Sequence, residues 1–204
     1  MRRRQRGFTL IEVILALSLV GALLVITFGG LRVGLAAWRQ GDERAEVQQH
    51  ARSVVQVISR ALAGVHPYLQ TPAPGEQGGL LFDGDSERVA FVTVAPPFPA
   101  AAPIAFTAVT LSHEAGSQPG LVIRQKVLPN RGAFERVSPT LADPAVTALR
   151  FRYLRESTGG WEDRWDARRE KALPSAVQIT LTMRLNGRTV EHPPLTLAIR
   201  AVAP

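Results

Sequence analysis

Residues 8–31 read FTLIEVILALSLVGALLVITFGGL, a run whose only ionisable side chain is Glu12. At about 1.5 Å per residue these 24 positions span roughly 36 Å as a helix, enough to cross the hydrocarbon core of a bilayer. Arg2, Arg3, Arg4 and Arg6 lie directly before the run. Their position predicts a cytoplasmic start, with everything after Leu31 translocated. A conventional secretory signal peptide shares the basic start and the small residues Gly34 and Ala36 further on. Its apolar stretch, however, is about 7 to 15 residues long, and a glutamate inside it is out of place.

Glu12 is the most informative residue of the chain. By insertion scales an acidic group at the centre of a spanning helix costs about 2.5 to 3.5 kcal/mol, so it needs compensation. It either lies near the interface and is hydrated, or it meets a cation from another chain. Its place in the first turn of a helix starting near Phe8 also suits the positive end of the macrodipole.

Beyond the run no proline occurs before Pro67. Val47, Ala51, Val54, Val55, Ile58 and Leu62 recur at spacings of three and four, with Glu46, Gln48, Gln49, Arg52, Gln56 and Arg60 on other faces. This predicts an amphipathic continuation of the membrane helix over 32–66, ending at His66-Pro67. Gly29, Gly30 and Gly34 lower helix propensity on the way and would permit bending or local melting.

Pro72 to Gly79 reads as a loop, after which the pattern changes to period two. Strands are predicted at Arg88–Ala95, Ala105–His113, Leu121–Val127, Val146–Arg155, Ala176–Leu185 and Leu195–Val202, with a proline-rich connection from Ala95 to Pro103. Val177, Ile179, Leu181, Met183 and Leu185 alternate with polar residues up to Asn186-Gly187, a strong hairpin signal. Pro193 and Pro194 on the returning strand argue for an edge or a bulge. The expected fold class is α+β, a long amino-terminal helix packed on antiparallel sheets, with residues 67–204 forming the β domain.

With 204 residues, 20% charged and 46% apolar, the chain can build one globular domain plus an anchor. Four of its +7 formal charges sit in the first six residues, leaving 20 basic against 17 acidic groups, so a nucleic-acid partner is not supported. Without cysteine it can make no disulfide, thiolate zinc site or cysteine nucleophile. His50, His66, His113 and His192 lack metal-ligand spacing. Glu162, Asp163 and Asp166 would suit a hard cation, but the spacing is not that of an EF-hand loop and Arg164, Arg168 and Arg169 compete for the same carboxylates. A solvated loop is favoured there, and Asp83-Gly84-Asp85 reads as a turn. Trp161 and Trp165 either anchor that loop on a sheet or present a contact to a partner. No nucleophile elbow, phosphate loop or dinucleotide fingerprint occurs, so neither catalysis nor a cofactor is expected.

Gly7-Phe8-Thr9-Leu10-Ile11-Glu12 resembles the processing motif of type IV pilins and type II secretion pseudopilins. The resemblance implies that 1–7 is a leader removed by a prepilin peptidase after Gly7 and that Phe8 becomes the N-methylated amino terminus. It also implies that Glu12 pairs with the Phe8 amine of a neighbouring subunit during assembly. Two opposite charges in a low-dielectric setting attract strongly and relieve each other's desolvation.

Tyr153-Leu154-Arg155, Gly160-Trp161, Trp165-Asp166 and Leu173-Pro174-Ser175-Ala176-Val177-Gln178-Ile179-Thr180-Leu181 resemble the J-type minor pseudopilins, the general secretion pathway protein J family. That resemblance implies a pilin-like fold, an inner-membrane anchor with a periplasmic β domain, and a place in the pseudopilus tip complex. The implied partners are other minor pseudopilins of the I, K and H types and the major pseudopilin. A minor pilin of a type IV pilus is the nearest alternative, disfavoured because many such pilins carry a disulfide loop. A membrane-anchored periplasmic binding or enzymatic domain is the other, and it would need a cleft with convergent polar groups.

Overall fold

The computed structural model describes residues 8–70, 78–99, 106–116, 119–130, 132–135 and 137–200, the side chains of 40 and 42–44 excepted. The leader at 1–7, most of the Pro72–Gly79 loop and the end of the proline-rich connection lie outside them. The chain divides into two compact units, Met1–Glu46 and Val47–Pro204.

Helix α1 (Leu10–Ala63) is unbroken through Gly29, Gly30 and Gly34, so those glycines neither melt it nor end it. In the first unit its described side chains are exposed, and Leu10–Arg39 is long and apolar enough to cross a membrane. Hydroxyls inside this span are satisfied within the helix, as where Thr27 Oγ1 donates to Leu23 O at 2.8 Å. Such internal bonding is what a hydrocarbon surrounding demands.

In the second unit the strands are β1 (Leu69–Gln70), β2 (Gly79–Leu80), β3 (Phe82–Gly84), β4 (Arg88–Thr93), β5 (Thr107–Glu114) and β6 (Gly120–Val127). They continue with β7 (Leu141–Asp143), β8 (Val146–Leu154), β9 (Trp161–Glu162), β10 (Trp165–Asp166), the short helix α2 (Ala167–Glu170), β11 (Ala176–Leu185) and β12 (Arg188–Ala198). Among the described residues all strand pairings are antiparallel. A six-stranded sheet has the order β10-β3-β4-β5-β6-β7, a four-stranded sheet β12-β11-β8-β9, and β1 pairs with β2.

The carboxy-terminal part of α1 lies in one core with both sheets. Ala51, Val54, Ile58 and Leu62 meet Phe91, Leu111 and Ile123 of the larger sheet and Phe151, Ile179 and Leu181 of the smaller. The helical stripe read from spacings of three and four is the buried face, with Ile58 and Leu62 each 1% exposed. A polar tie supports the start of this segment, His50 Nε2 lying 2.8 Å from Asp143 Oδ2.

The two sheets differ in what covers them. Along β8 and β11 buried and exposed residues alternate, because only the inner face meets the core. Strand β4 is buried at every position after Arg88, because its outer face is covered too. There Leu81, Val92, Ala108, Leu128 and Ala133 form a second small cluster with Tyr68 and Phe134 packed on it. The connection after β6 is pinned over that face by Arg124 Nε donating to Val137 O and Lys126 Nζ to Gly132 O.

The helix stops at Ala63, three residues before the expected His66. Thr93 Oγ1 donates to the last-turn carbonyl of Ala61 at 2.8 Å, and Val94 N donates to Gly64 O. A Cβ at Gly64 would lie 2.7 Å from both Ala95 Cβ and Thr93 Oγ1, so this close approach requires glycine. The chain then pairs Val65 with Thr93 instead of continuing the helix.

Strand β12 also corrects an expected boundary. It begins at Arg188, directly after the Asn186-Gly187 turn, whose residues have φ of 51° and 73°, and it runs through both prolines. Ile179 pairs with Leu195 and Leu181 with His192, so Thr180 alone faces Pro193 and Pro194 in a bulge. The expected edge and bulge are both present, since β12 ends its sheet. Of the expected Asp83–Asp85 turn, Asp83 and Gly84 belong to β3. The turn itself is made at Asp85, whose Oδ1 accepts from Glu87 N and Arg88 N at 2.8 Å each.

Candidate functional site at the start of the membrane helix

Gly7 lies outside the described residues, and Phe8 beside it is 87% exposed. Thr9 and Glu12 form a reciprocal pair at the helix start. Thr9 N donates to Glu12 Oε2 at 3.0 Å and Thr9 Oγ1 to the same oxygen at 3.1 Å, while Glu12 N points to Thr9 Oγ1 at 3.4 Å. This is the capping-box arrangement, in which two backbone donors left over by the helix are satisfied by each other's side chains.

The box answers how an apolar anchor carries a carboxylate. Glu12 stands at the end where the macrodipole is positive and where its oxygen completes the backbone. The chemistry offered is a fixed anionic centre three residues from Thr9 and four from Phe8. Sequence reasoning placed Glu12 in the first turn but missed Thr9 as its partner, although Thr-x-x-Glu is a legible signal.

The second candidate region separates its residues. Trp165 is 4% exposed and its Nε1 donates to Ala172 O at 3.0 Å, so it anchors the loop and has no face left for a partner. Trp161 is half-buried on β9, paired with Leu154. Arg155 lies 4.9 Å over the Trp165 ring and holds Glu170 at 2.6 Å and Glu162 at 3.0 Å. Hydrogen bonds from its guanidinium hold both carboxyls below the usual carboxylate range. Asp163 pairs with Arg152, and Asp166 caps α2 by accepting from Arg168 N. The three acids thus have separate arginine or backbone partners, and no group of three metal-ligating side chains occurs among the described residues. The carboxylates brace a loop.

The residues of both regions fall within matches to known protein families. A model of the prokaryotic N-terminal methylation motif matches residues 2–28, and a model described as type II secretion system (T2SS), protein J matches residues 29–191. A type II secretion system protein J from Xanthomonas campestris pv. campestris is 28% identical over 207 residues, covering 98% of this chain and 95% of the relative. A type II secretion system protein I from the same organism is 34% identical over 82 residues, 40% of this chain and 54% of the relative. With the methylation motif on an apolar helix, the pilin-like α+β fold behind it and a family match over most of the length, this chain belongs to the type II secretion system protein J family, a membrane-anchored pseudopilin.

Proposed function

We propose that this chain is a minor pseudopilin of the pseudopilus tip complex, which primes filament assembly and helps folded proteins leave across the outer membrane. A prepilin peptidase cuts after Gly7, and Phe8 becomes the N-methylated terminus. Residues 8–31 stay in the inner membrane with the amino terminus cytoplasmic and the domain from 67 onward periplasmic. Its partners are minor pseudopilins of the I, K and H types and the major pseudopilin. Its part is structural, with no reaction of its own.

The observation that carries this reading is the Thr9–Glu12 box. It presents a carboxylate at a fixed place beside the proposed new terminus. Removal of the leader converts Phe8 N from an amide into an ammonium group, and a neighbouring subunit's ammonium is the complementary charge for Glu12. The same pairing sets the register between subunits.

The test is the intact mass of the mature membrane protein together with the Glu12→Ala variant. A chain beginning at methylated Phe8, and a variant that folds but fails to enter the filament, are the expected results. A mature protein that retains 1–7, or one that starts near Ala37, would refute the processing. Undiminished incorporation of Glu12→Ala would refute the charge pairing.

A further inference from the structure

Two hollows of about 370 and 330 Å³ lie beside strands β2 and β3, and Phe134 and Arg168 line both, which makes them the halves of one cleft. Leu81 and Ala133 give the first half an apolar floor, and Leu80 and Phe82 the second. Leu81, Phe82 and Ala133 are buried, and Phe134 is half-buried against the outer-face cluster.

The charges on the walls are answered in pairs, with one exception. Asp83 pairs with Arg88 at 2.8 Å, Asp166 with Arg169 at 3.4 Å and Glu135 with Lys126 at 3.9 Å. Arg168 donates its backbone N–H to Asp166 Oδ1, but among the described residues its guanidinium has no partner. Strand β2 places its stem. Gly79 has a φ of 150°, and a Cβ there would lie 3.3 Å from Arg168 Cγ, so the stem rests against bare glycine backbone. Helix α2 and strand β2 together hold a cation beside an apolar floor.

We propose that this cleft is a ligand site for an apolar carboxylate, with the carboxylate on the Arg168 guanidinium and the apolar group against Phe134. The planar guanidinium fork matches a carboxylate through two parallel N–H···O bonds. A single unanswered cation suits a singly charged anion. A phosphate, with close to two charges, would stand near Asp83, Asp166 and Glu135 with one cation to balance it. The floor of either half takes an aromatic or aliphatic group, and both volumes are those of small-molecule sites. Two sources share this chemistry, a small organic acid and the free carboxyl end of a polypeptide whose last side chain is apolar. The site goes beyond the filament role and does not depend on it.

The test uses the full-length chain in detergent and fluorine NMR, with protein-free micelles as the reference. The probes are para-fluorophenylpropionate, N-acetyl-glycyl-para-fluorophenylalanine and the carboxamide of each. Both the change of acid to carboxamide and Arg168→Gln should weaken binding about tenfold or more, the worth of a charge-assisted hydrogen bond. The melting temperature should not move, because Arg168 is exposed, and Arg164→Gln at a neighbouring exposed arginine should bind as the wild type does. Tighter binding of the dipeptide acid assigns the site to a chain end, and tighter binding of the propionate to a small acid. Acids and carboxamides bound alike, binding that survives Arg168→Gln, or no binding beyond that of micelles would each overturn the site.

Discussion

The hydroxyl of Tyr153 occupies the space that a side chain on Gly84 would need. Any Cβ built on Gly84 collides with the Tyr153 hydroxyl and ring. Tyr153, on β8 of the four-stranded sheet, reaches across to the β3–β4 hairpin of the other sheet, and its Oη donates to Asp85 O at 2.9 Å and to Arg88 O at 3.3 Å. Phe151 N donates to Ser86 O at 2.9 Å, so two neighbours on β8 hold the same hairpin.

Tyr153→Phe should therefore destabilise the second unit by about 0.5–1.5 kcal/mol, the net worth of an ordinary hydrogen bond, because Arg88 O keeps its bond from Asp85 N and Asp85 is exposed to water. Gly84→Ala should cost about as much or more, because the ring must leave its place in the core. Denaturant unfolding of the full chain in detergent checks both. Burial, and after it the charges of Asp85 and Asp83, push the Tyr153 hydroxyl well above its ordinary pKa of 10.0. The folded state thus keeps a proton that the unfolded chain gives up as pH rises past about 10. Stability contributed by this group is complete below that pH and falls above it, and Tyr153→Phe should flatten that alkaline decline.

Arg155 makes the opposite prediction on the acid side. It holds Glu162 and Glu170 below their ordinary carboxylate values, so their contribution is present above about pH 4.5 and is lost as pH falls through the lowered values. Arg155→Met keeps the stem over Trp165 but removes the guanidinium. The variant should lose this acid dependence, and the Trp165 fluorescence should change, because a cation no longer stands 4.9 Å from its ring. An unchanged acid limb would show that the ion pairs are too solvent-screened to matter.

Much of this architecture was legible because each long element carries a period. The helical stripe of Ala51, Val54, Ile58 and Leu62 and the alternation of Val177, Ile179, Leu181 and Met183 predict the two partners of the core. Elements of two or three residues show no period, so β3 at Phe82–Gly84 and β10 at Trp165–Asp166 had no signal. The helix end was misread because Pro67 is the stronger local breaker, whereas Gly64 acts through a tertiary approach to Thr93 and Ala95. At the candidate site, Glu12 was legible as a charge out of place. Thr9 went unread because its hydroxyl matters only through Glu12.

That pairing predicts a graded result. Thr9→Val removes the hydroxyl while preserving shape, and loss of a cap costs about 0.5–2 kcal/mol. Glu12 keeps its charge but loses one of the donors that hold it, so incorporation into the filament should fall less than with Glu12→Ala. Thr9→Ser should restore it. Comparing the three variants by the fraction of subunit recovered in sheared filaments separates positioning from charge, because equal loss in Thr9→Val and Glu12→Ala would mean that the carboxylate does not act by itself.

The double proline of β12 leads to the last prediction. As the edge of the four-stranded sheet, β12 is eleven residues long and would offer an extended row of unpaired backbone groups to another chain. Pro193 and Pro194 have no N–H, both are exposed, and both face Thr180 alone, so the row is interrupted near its middle and bent by the bulge. Replacing both by valine restores two donors and favours a flatter strand. The variant should form concentration-dependent oligomers in sedimentation velocity of the detergent-solubilised chain, with no comparable change in the wild type. Pro194→Val alone should give a smaller effect, since one interruption remains. If the double variant stays monomeric and only its melting temperature moves, the prolines serve the internal register of β11 and β12 rather than guarding the edge.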